Sequence, residues 1–122
     1  MAWNIRITDE AKKDYNKIEG SIRKQVLAGI IKVSKAPLPS PNGYGKPLGN
    51  KNGNNLTGFF KIKYRGIGIR VVYTLVINKM LMNIIVISQR DDDQCYDLAA
   101  RLYDKYGDDV FKDIFGEFPK EN

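Results

Sequence analysis

The chain has 122 residues, enough for one compact domain, and carries 20 Lys and Arg against 14 Asp and Glu, a net charge of +6. This balance favours an anionic partner: nucleic acid, an acidic membrane or an acidic protein. Histidine is absent and Cys95 is the single cysteine, which excludes imidazole catalysis, a zinc framework and an internal disulfide. No stretch approaches the roughly 20 apolar residues that span a bilayer, so we expect a cytoplasmic protein.

The first part of the chain predicts a strand followed by two helices. Residues 3–7 alternate apolar and polar side chains, the period of a half-buried strand. A first helix, capped by Thr8 or Asp9, ends at Gly20. A second helix begins at Ser21 and carries apolar side chains on one face. Because the two helices are consecutive, we expect an antiparallel helical hairpin.

The middle of the chain predicts a loop, three strands and a further helix. Residues 36–55 are rich in Pro, Gly and Asn and predict a long surface loop. Three strand-like runs follow, over residues 58–65, 67–77 and 80–88. A helix then begins near Asp92. The element order is β-α-α-β-β-β-α, an α+β fold with a mainly antiparallel four-stranded sheet packed with the helical hairpin and a C-terminal helix.

The end of the chain predicts a small addition to this domain. Apolar side chains between Val110 and Phe118 recur at spacings that suggest a short amphipathic helix. We therefore expect one domain over residues 1–106 and a C-terminal extension over residues 107–122.

One predicted strand carries a row of cations. Strand alternation sends Lys61, Lys63 and Arg65 to one face, and the apolar side chains between them to the other. Such a row can follow the phosphates of an extended RNA strand. The alternative is that these are solubilising charges, or edge lysines that prevent strand pairing.

Two arginines lie in or next to apolar strands, where a charged guanidinium is expected only if it is paired with a carboxylate or held for function. Arg70 lies inside the run over residues 67–77, and it is either paired with a carboxylate in the interior or held for function. Arg90 follows the last strand, where it can project into a shared cleft or form a salt bridge with the adjacent aspartates.

The acidic run at residues 91–93 is interpreted as helix capping rather than as a metal site. Adjacent aspartates point in different directions, and carboxylates at a helix N-terminus are explained by the cap and the helix dipole. We therefore predict no metal and no cofactor. Tyr96, one turn into the helix, can stack on a base or pack in the core.

Residues 60–65 with 68–73, and residues 86–90 with Tyr96, resemble the signature of the RelE family of bacterial toxins, in the RelE/ParE superfamily. The resemblance covers residues 3 to about 102. It implies a metal-independent endoribonuclease that cleaves messenger RNA on the ribosome by attack of a 2'-hydroxyl, and that a cognate antitoxin neutralises. The sequence departs from the family at Gln89, where relatives often have a lysine, and at the acidic run.

The resemblance also implies a role for each site residue. Lys61 and Lys63 match the lysines that hold the RNA and help to remove the proton from the 2'-hydroxyl. Arg70 matches the arginine that stabilises the scissile phosphate. Arg90 matches the residue that protonates the leaving 5'-oxygen, and Tyr96 matches the base-stacking tyrosine. Further RNA contacts, including ribosomal RNA, are expected at Lys12, Lys13, Arg23, Lys24 and Arg65.

Two other functions fit the same sequence. A ParE-like toxin inhibits DNA gyrase on this fold without nuclease activity, although such proteins tend to lack the full set of nuclease residues. An inactive module that binds nucleic acid or an antitoxin fits the basic charge and requires no chemistry. Toxicity with mapped RNA breaks would eliminate both alternatives.

Overall fold

The structure, a computed structural model, describes residues 2–51, 53–89 and 91–119. In this part of the chain helices pack on a six-stranded sheet, so the α+β class is confirmed. The strands are β1 (Asn4–Ile7), β2 (Lys46–Lys51), β3 (Asn54–Tyr64), β4 (Ile69–Val76), β5 (Leu81–Ser88) and β6 (Gly116–Glu117). The α-helices are α1 (Asp9–Asn16), α2 (Gly20–Ser34) and α3 (Asp92–Tyr106). None of the helices described is long and apolar enough to cross a membrane.

The sheet is mixed, with the strand order β2-β3-β4-β5-β1-β6. All neighbours pair antiparallel except β1, which runs parallel to β5. The sheet is therefore mainly antiparallel, as predicted, but it has six strands rather than four. The two additional strands, β2 and β6, lie at its edges.

Strand β2 corrects the loop predicted over residues 36–55. It pairs with β3 from Lys46 to Lys51, and its Leu48 is buried. Strand β3 also begins at Asn54, earlier than residue 58. One apolar side chain among glycines and asparagines gives no alternation, so the strand could not be recognised from the sequence.

The C-terminal extension packs into the domain instead of forming an amphipathic α-helix. A 3₁₀ helix covers Gly107–Phe111, and β6 then pairs with β1. The buried Asn83 of β5 donates from Nδ2 to the carbonyl oxygen of Val110 at 3.0 Å. Phe118 is buried against Tyr15 of α1, with their ring centroids 5.0 Å apart. The extension thus completes the core on both faces of the sheet.

Helices cover both faces of the sheet. Helices α1 and α2 pack on one face, in a cluster that includes Phe60, Val71 and Tyr73. Helix α3 packs on the other face, in a cluster that includes Phe59 and Val72. Because successive strand residues point to opposite faces, these clusters fix the direction of the remaining side chains of β3 and β4.

Tyr64 joins the end of β3 to α2. Its hydroxyl donates to the carbonyl oxygen of Val26 at 2.6 Å, and its ring lies against Gly29, where a Cβ would overlap the ring. Partial burial and the nearby Tyr15 hydroxyl raise the pKa of Tyr64, so it stays a neutral donor. This contact holds the strand that carries the predicted cation row.

Candidate functional site

Three of the predicted site cations lie on the face of the sheet that α3 covers. Lys61 and Lys63 alternate with Phe59 along β3 and therefore share its face. Lys63 is directly opposite Arg70 in the register of β3 and β4. The structure thus brings Lys61, Lys63 and Arg70 together on one surface, which we call the α3 face.

Asp92 in the first turn of α3 lies between two of these cations. Arg70 donates from Nε to Oδ1 of Asp92, and the Lys63 Nζ is 3.8 Å from Oδ2. The side chain of Arg70 is 19% exposed and that of Asp92 is 39% exposed. The alternative interpretation of Arg70, an ion pair with a carboxylate, is therefore present in the structure. One carboxylate group marks the point where the two cations converge.

The charges around Asp92 keep it ionised. Partial burial alone would raise its pKa, but the hydrogen bond and charge of Arg70, with the charges of Lys63 and Lys61, hold the pKa below its usual range. A second interaction orients the arginine, whose guanidinium is within 3.5 Å of the carbonyl oxygen of Gly68. The convergence point therefore holds a full negative charge at neutral pH.

Helix α3 begins where the sequence places its cap. The Asp91 carboxylate accepts a hydrogen bond from the backbone N–H of Gln94 at 2.9 Å. The Asp91 side chain thus caps the helix, whereas the Asp92 side chain contacts the cations of the sheet. Capping explains one member of the acidic run, and the ion pairs explain the second.

Tyr96 is buried and is not open to a base. Its side chain is buried in the cluster between α3 and the sheet, where it is 4% exposed. Desolvation and the charge of Asp92 raise its pKa, so it remains a neutral phenol. The neighbouring Cys95 is fully buried, and burial raises the pKa of its thiol to about 12. Base stacking by Tyr96 would require α3 to move.

The other predicted RNA-binding residues lie outside strands β3 and β4. Arg65 is exposed in the turn after β3. Lys12, Lys13 and Lys24 are exposed on α1 and α2, the helices of the opposite face. Arg23 is half-buried, with its guanidinium 5.9 Å from the ring centroid of Tyr15. Arg90 lies outside the described residues.

Sequence reasoning missed Lys46, which also lies on the α3 face. Lys46 on β2 is directly opposite Lys61 on β3, so the two side chains share a face. Lys46 is exposed. It belonged to the segment predicted as a loop, where no strand register could connect it to Lys61. Lys46, Lys61, Lys63 and Arg70 therefore form a group of cations on the α3 face, from three adjacent strands.

A cleft of about 730 Å³ opens at the end of β5, next to this surface. Ser88, one of its lining residues, is opposite Arg70 in the register of β4 and β5. Its other polar lining residues include Glu10, Lys13, Asp14, Lys17, Gln89 and Arg101. The part of the chain that the structure describes contains no group of three His, Cys, Asp or Glu side chains placed to hold a metal ion.

Comparison with known proteins gives consistent matches in sequence and in fold. The chain is 24% identical over 101 residues to the mRNA interferase toxin RelE of Escherichia coli K12, with 83% of this chain and 97% of the relative covered. A protein of Shigella flexneri described as mRNA interferase RelE matches to the same extent. No protein-family model matches the chain.

Solved structures of RelE proteins share the fold. The free-state structure of an E. coli RelE mutant matches with a TM-score of 0.65 at 23% identity, covering 83% of this chain and 97% of that one. The Mycobacterium tuberculosis RelBE2 toxin-antitoxin complex matches with a TM-score of 0.59 at 24% identity, covering 75% of this chain and 95% of that one. The chain is thus a small basic α+β protein with the fold of these RelE structures. In both sequence and fold the chain is similar to RelE-type toxins.

Proposed function

We propose that the protein is the toxin of a type II toxin-antitoxin system and that it cleaves messenger RNA on the ribosome. The observation that supports this most directly is the Asp92 carboxylate held by Arg70 and Lys63. A phosphodiester group presents two charged oxygens of similar size, and cations aimed at such oxygens stabilise phosphoryl transfer. The substrate phosphate would take the position of this carboxylate.

The proposed chemistry needs neither a metal nor a cofactor. The 2'-oxygen attacks the adjacent phosphorus while the bond from phosphorus to the 5'-oxygen breaks. The products are a 2',3'-cyclic phosphate and a 5'-hydroxyl. Arg70 stabilises the charge on the phosphate, Lys61 and Lys63 hold the RNA and help to remove the 2'-proton, and Arg90 protonates the leaving oxygen.

Access to the site requires a local change at α3. Asp92 already holds the two cations, and Tyr96 is buried between that helix and the sheet. Incoming RNA therefore has to displace the Asp92 carboxylate, and stacking on Tyr96 follows only when the first turn moves. The ribosome would promote this displacement of Asp92 by fixing the geometry of the RNA, so free RNA should be cut poorly.

The proposal also includes a cognate antitoxin as partner and the cytoplasm as the place of action. Solved relatives include the E. coli RelBE toxin-antitoxin complex and an E. coli RelE mutant bound to an antitoxin peptide. A basic surface that cleaves messenger RNA has to be covered in a resting cell, which an acidic or apolar antitoxin segment would do. The ribosomal substrate places the activity in the cytoplasm.

The test is cleavage on programmed ribosomes that have been crosslinked so that EDTA does not dissociate them. We expect cuts with 5'-hydroxyl ends in EDTA, and a loss of roughly 10²- to 10³-fold in rate for Arg70→Ala, as for removal of a preorganised donor. Arg6→Ala is the matched control, because Arg6 is also 19% exposed and paired with a carboxylate, Asp113, at 3.7 Å. Metal-dependent 5'-phosphate products, or full activity in Arg70→Ala, contradict the proposal.

The same experiment separates the rival functions. Toxicity with altered DNA topology and intact messenger RNA indicates a gyrase inhibitor. Absence of both toxicity and cleavage indicates a binding module without chemistry.

A further inference from the structure

Two cross-strand pairs on the α3 face bring like charges together. Lys63 is opposite Arg70, and Lys46 is opposite Lys61. Directly opposite side chains have Cβ atoms roughly 4.5–5.5 Å apart, and like charges in this position destabilise a sheet. Each pair is relieved if an anion lies between or above its two cations.

The chain supplies that anion for one pair. Asp92 lies against Arg70 and Lys63. Lys46 and Lys61 form no ion pair or hydrogen bond with any residue in the described ranges, and only the charge of Lys61 acts on Asp92 from a distance. Lys46 is exposed and Lys61 is half-buried, so both are accessible to a ligand. The second pair is thus a cation pair without its counter-ion.

We propose that Lys46 and Lys61 form a second anion subsite, which holds the RNA phosphate on the 5' side of the nucleotide whose 2'-hydroxyl attacks. This inference rests on the proposed function, because it takes the phosphate at Arg70 and Lys63 as the scissile one. Lys61 then lies between the two phosphates, beside the attacking hydroxyl. Lys46 becomes a positioning residue that contacts RNA one phosphate away from the reaction.

The dimensions of the sheet fit this assignment. Lys46 and Arg70 are two strands and two residues apart, so their backbone positions are separated by about 12 Å. Long lysine side chains can shorten that span towards the separation of successive phosphates. A lysine acts as a point charge with three donors, which suits the holding of a phosphate that does not react.

The test uses Lys46→Ala and, as a matched control, Lys51→Ala. Lys51 lies on the same strand but is opposite Asn54 instead of a cation. Binding of an RNA oligonucleotide with a 2'-deoxy substitution at the attacking nucleotide is measured by fluorescence anisotropy over a salt series. For single strands the slope of log K against log salt is about −0.7 per phosphate contact. We expect the slope for Lys46→Ala to be less negative by about 0.7 and its binding to be several-fold weaker. Lys51→Ala should match the wild type in both slope and affinity.

A second ligand tests the position of the subsite. A dinucleotide without its 5'-phosphate should bind wild type and Lys46→Ala equally, whereas the 5'-phosphorylated form should distinguish them in a chemical-shift titration. Lys46→Ala should also be at least as stable as wild type, because it removes a like-charge pair, and this excludes unfolding as the cause of weak binding.

The outcomes separate this subsite from the proposed function. Equal slopes and affinities in Lys46→Ala and wild type, or no binding by wild type, overturn the subsite, and cleavage that still depends on Arg70 then leaves the function standing. Binding that depends on Lys46, in a protein that leaves ribosomal messenger RNA intact, supports an anion subsite and overturns the nuclease.

Discussion

Replacing Asp92 by asparagine removes the charge that occupies the convergence point while keeping the size of the side chain. Asp92 is 39% exposed, so solvent screens its ion pairs with Arg70 and Lys63. Exposed pairs of this kind contribute up to about 1 kcal/mol. Asp92→Asn should therefore lower the free energy of unfolding by about 1 kcal/mol.

The same substitution should strengthen RNA binding. A phosphate that enters the site of the wild type has to displace the carboxylate, and the variant removes that competition. A difference of about 1 kcal/mol corresponds to about fivefold in Kd. We therefore expect Asp92→Asn to bind a 2'-deoxy-substituted oligonucleotide about fivefold more tightly than wild type, although it is the less stable protein.

Urea unfolding measures the first quantity and fluorescence anisotropy the second. Asp93→Asn is the matched control, since it makes the same charge change in the same exposed first turn of α3. If Asp92→Asn binds RNA no more tightly than Asp93→Asn, the carboxylate does not occupy the substrate's position, and the interpretation of the site is refuted.

Two other outcomes follow from contacts already described. The depressed pKa of Asp92 means that its stabilising contribution is present above the unfolded value of 3.8 and is lost as the pH falls through the folded value. Urea midpoints of wild type and Asp92→Asn should therefore converge in acid, and a constant gap down to pH 2 would contradict this. Gly29→Ala should cost about 1–3 kcal/mol in urea unfolding, because its Cβ overlaps the Tyr64 ring. The control Gly20→Ala should not destabilise, since nothing lies within 4 Å of its Cβ.

The sequence alone was sufficient to predict a strand or helix where its pattern was long and regular. Strands β4 and β5 are almost continuous apolar runs, and α3 has helical spacing with a capping aspartate. The alternation along β3 correctly placed Lys61 and Lys63 on a single face, but Arg65, the third member of the predicted row, lies in the turn after the strand. These features depend on local periodicity, which a single sequence records directly.

The missed features depend on contacts between distant residues. Asp92 is 22 positions from Arg70, and nothing in the acidic run distinguishes the aspartate that reaches the sheet from the one that caps the helix. Lys46 belongs to the site only because β2 pairs with β3, and Leu48 is the buried apolar residue of that strand. The burial of Tyr96 likewise depends on how α3 lies against the sheet, which the spacing of apolar residues does not determine.

The pairing of β1 has a consequence for the order in which the protein can fold during synthesis. This strand forms hydrogen bonds only with β5 and β6 among the strands described, and Arg6 is opposite Glu117. Translation proceeds from the N-terminus, so β1 waits without a partner strand while most of the chain is made. Contacts so far apart in sequence also close slowly. A newly made chain thus reaches its native sheet only after residue 117 has been added and has left the ribosome, on which the finished protein is proposed to act.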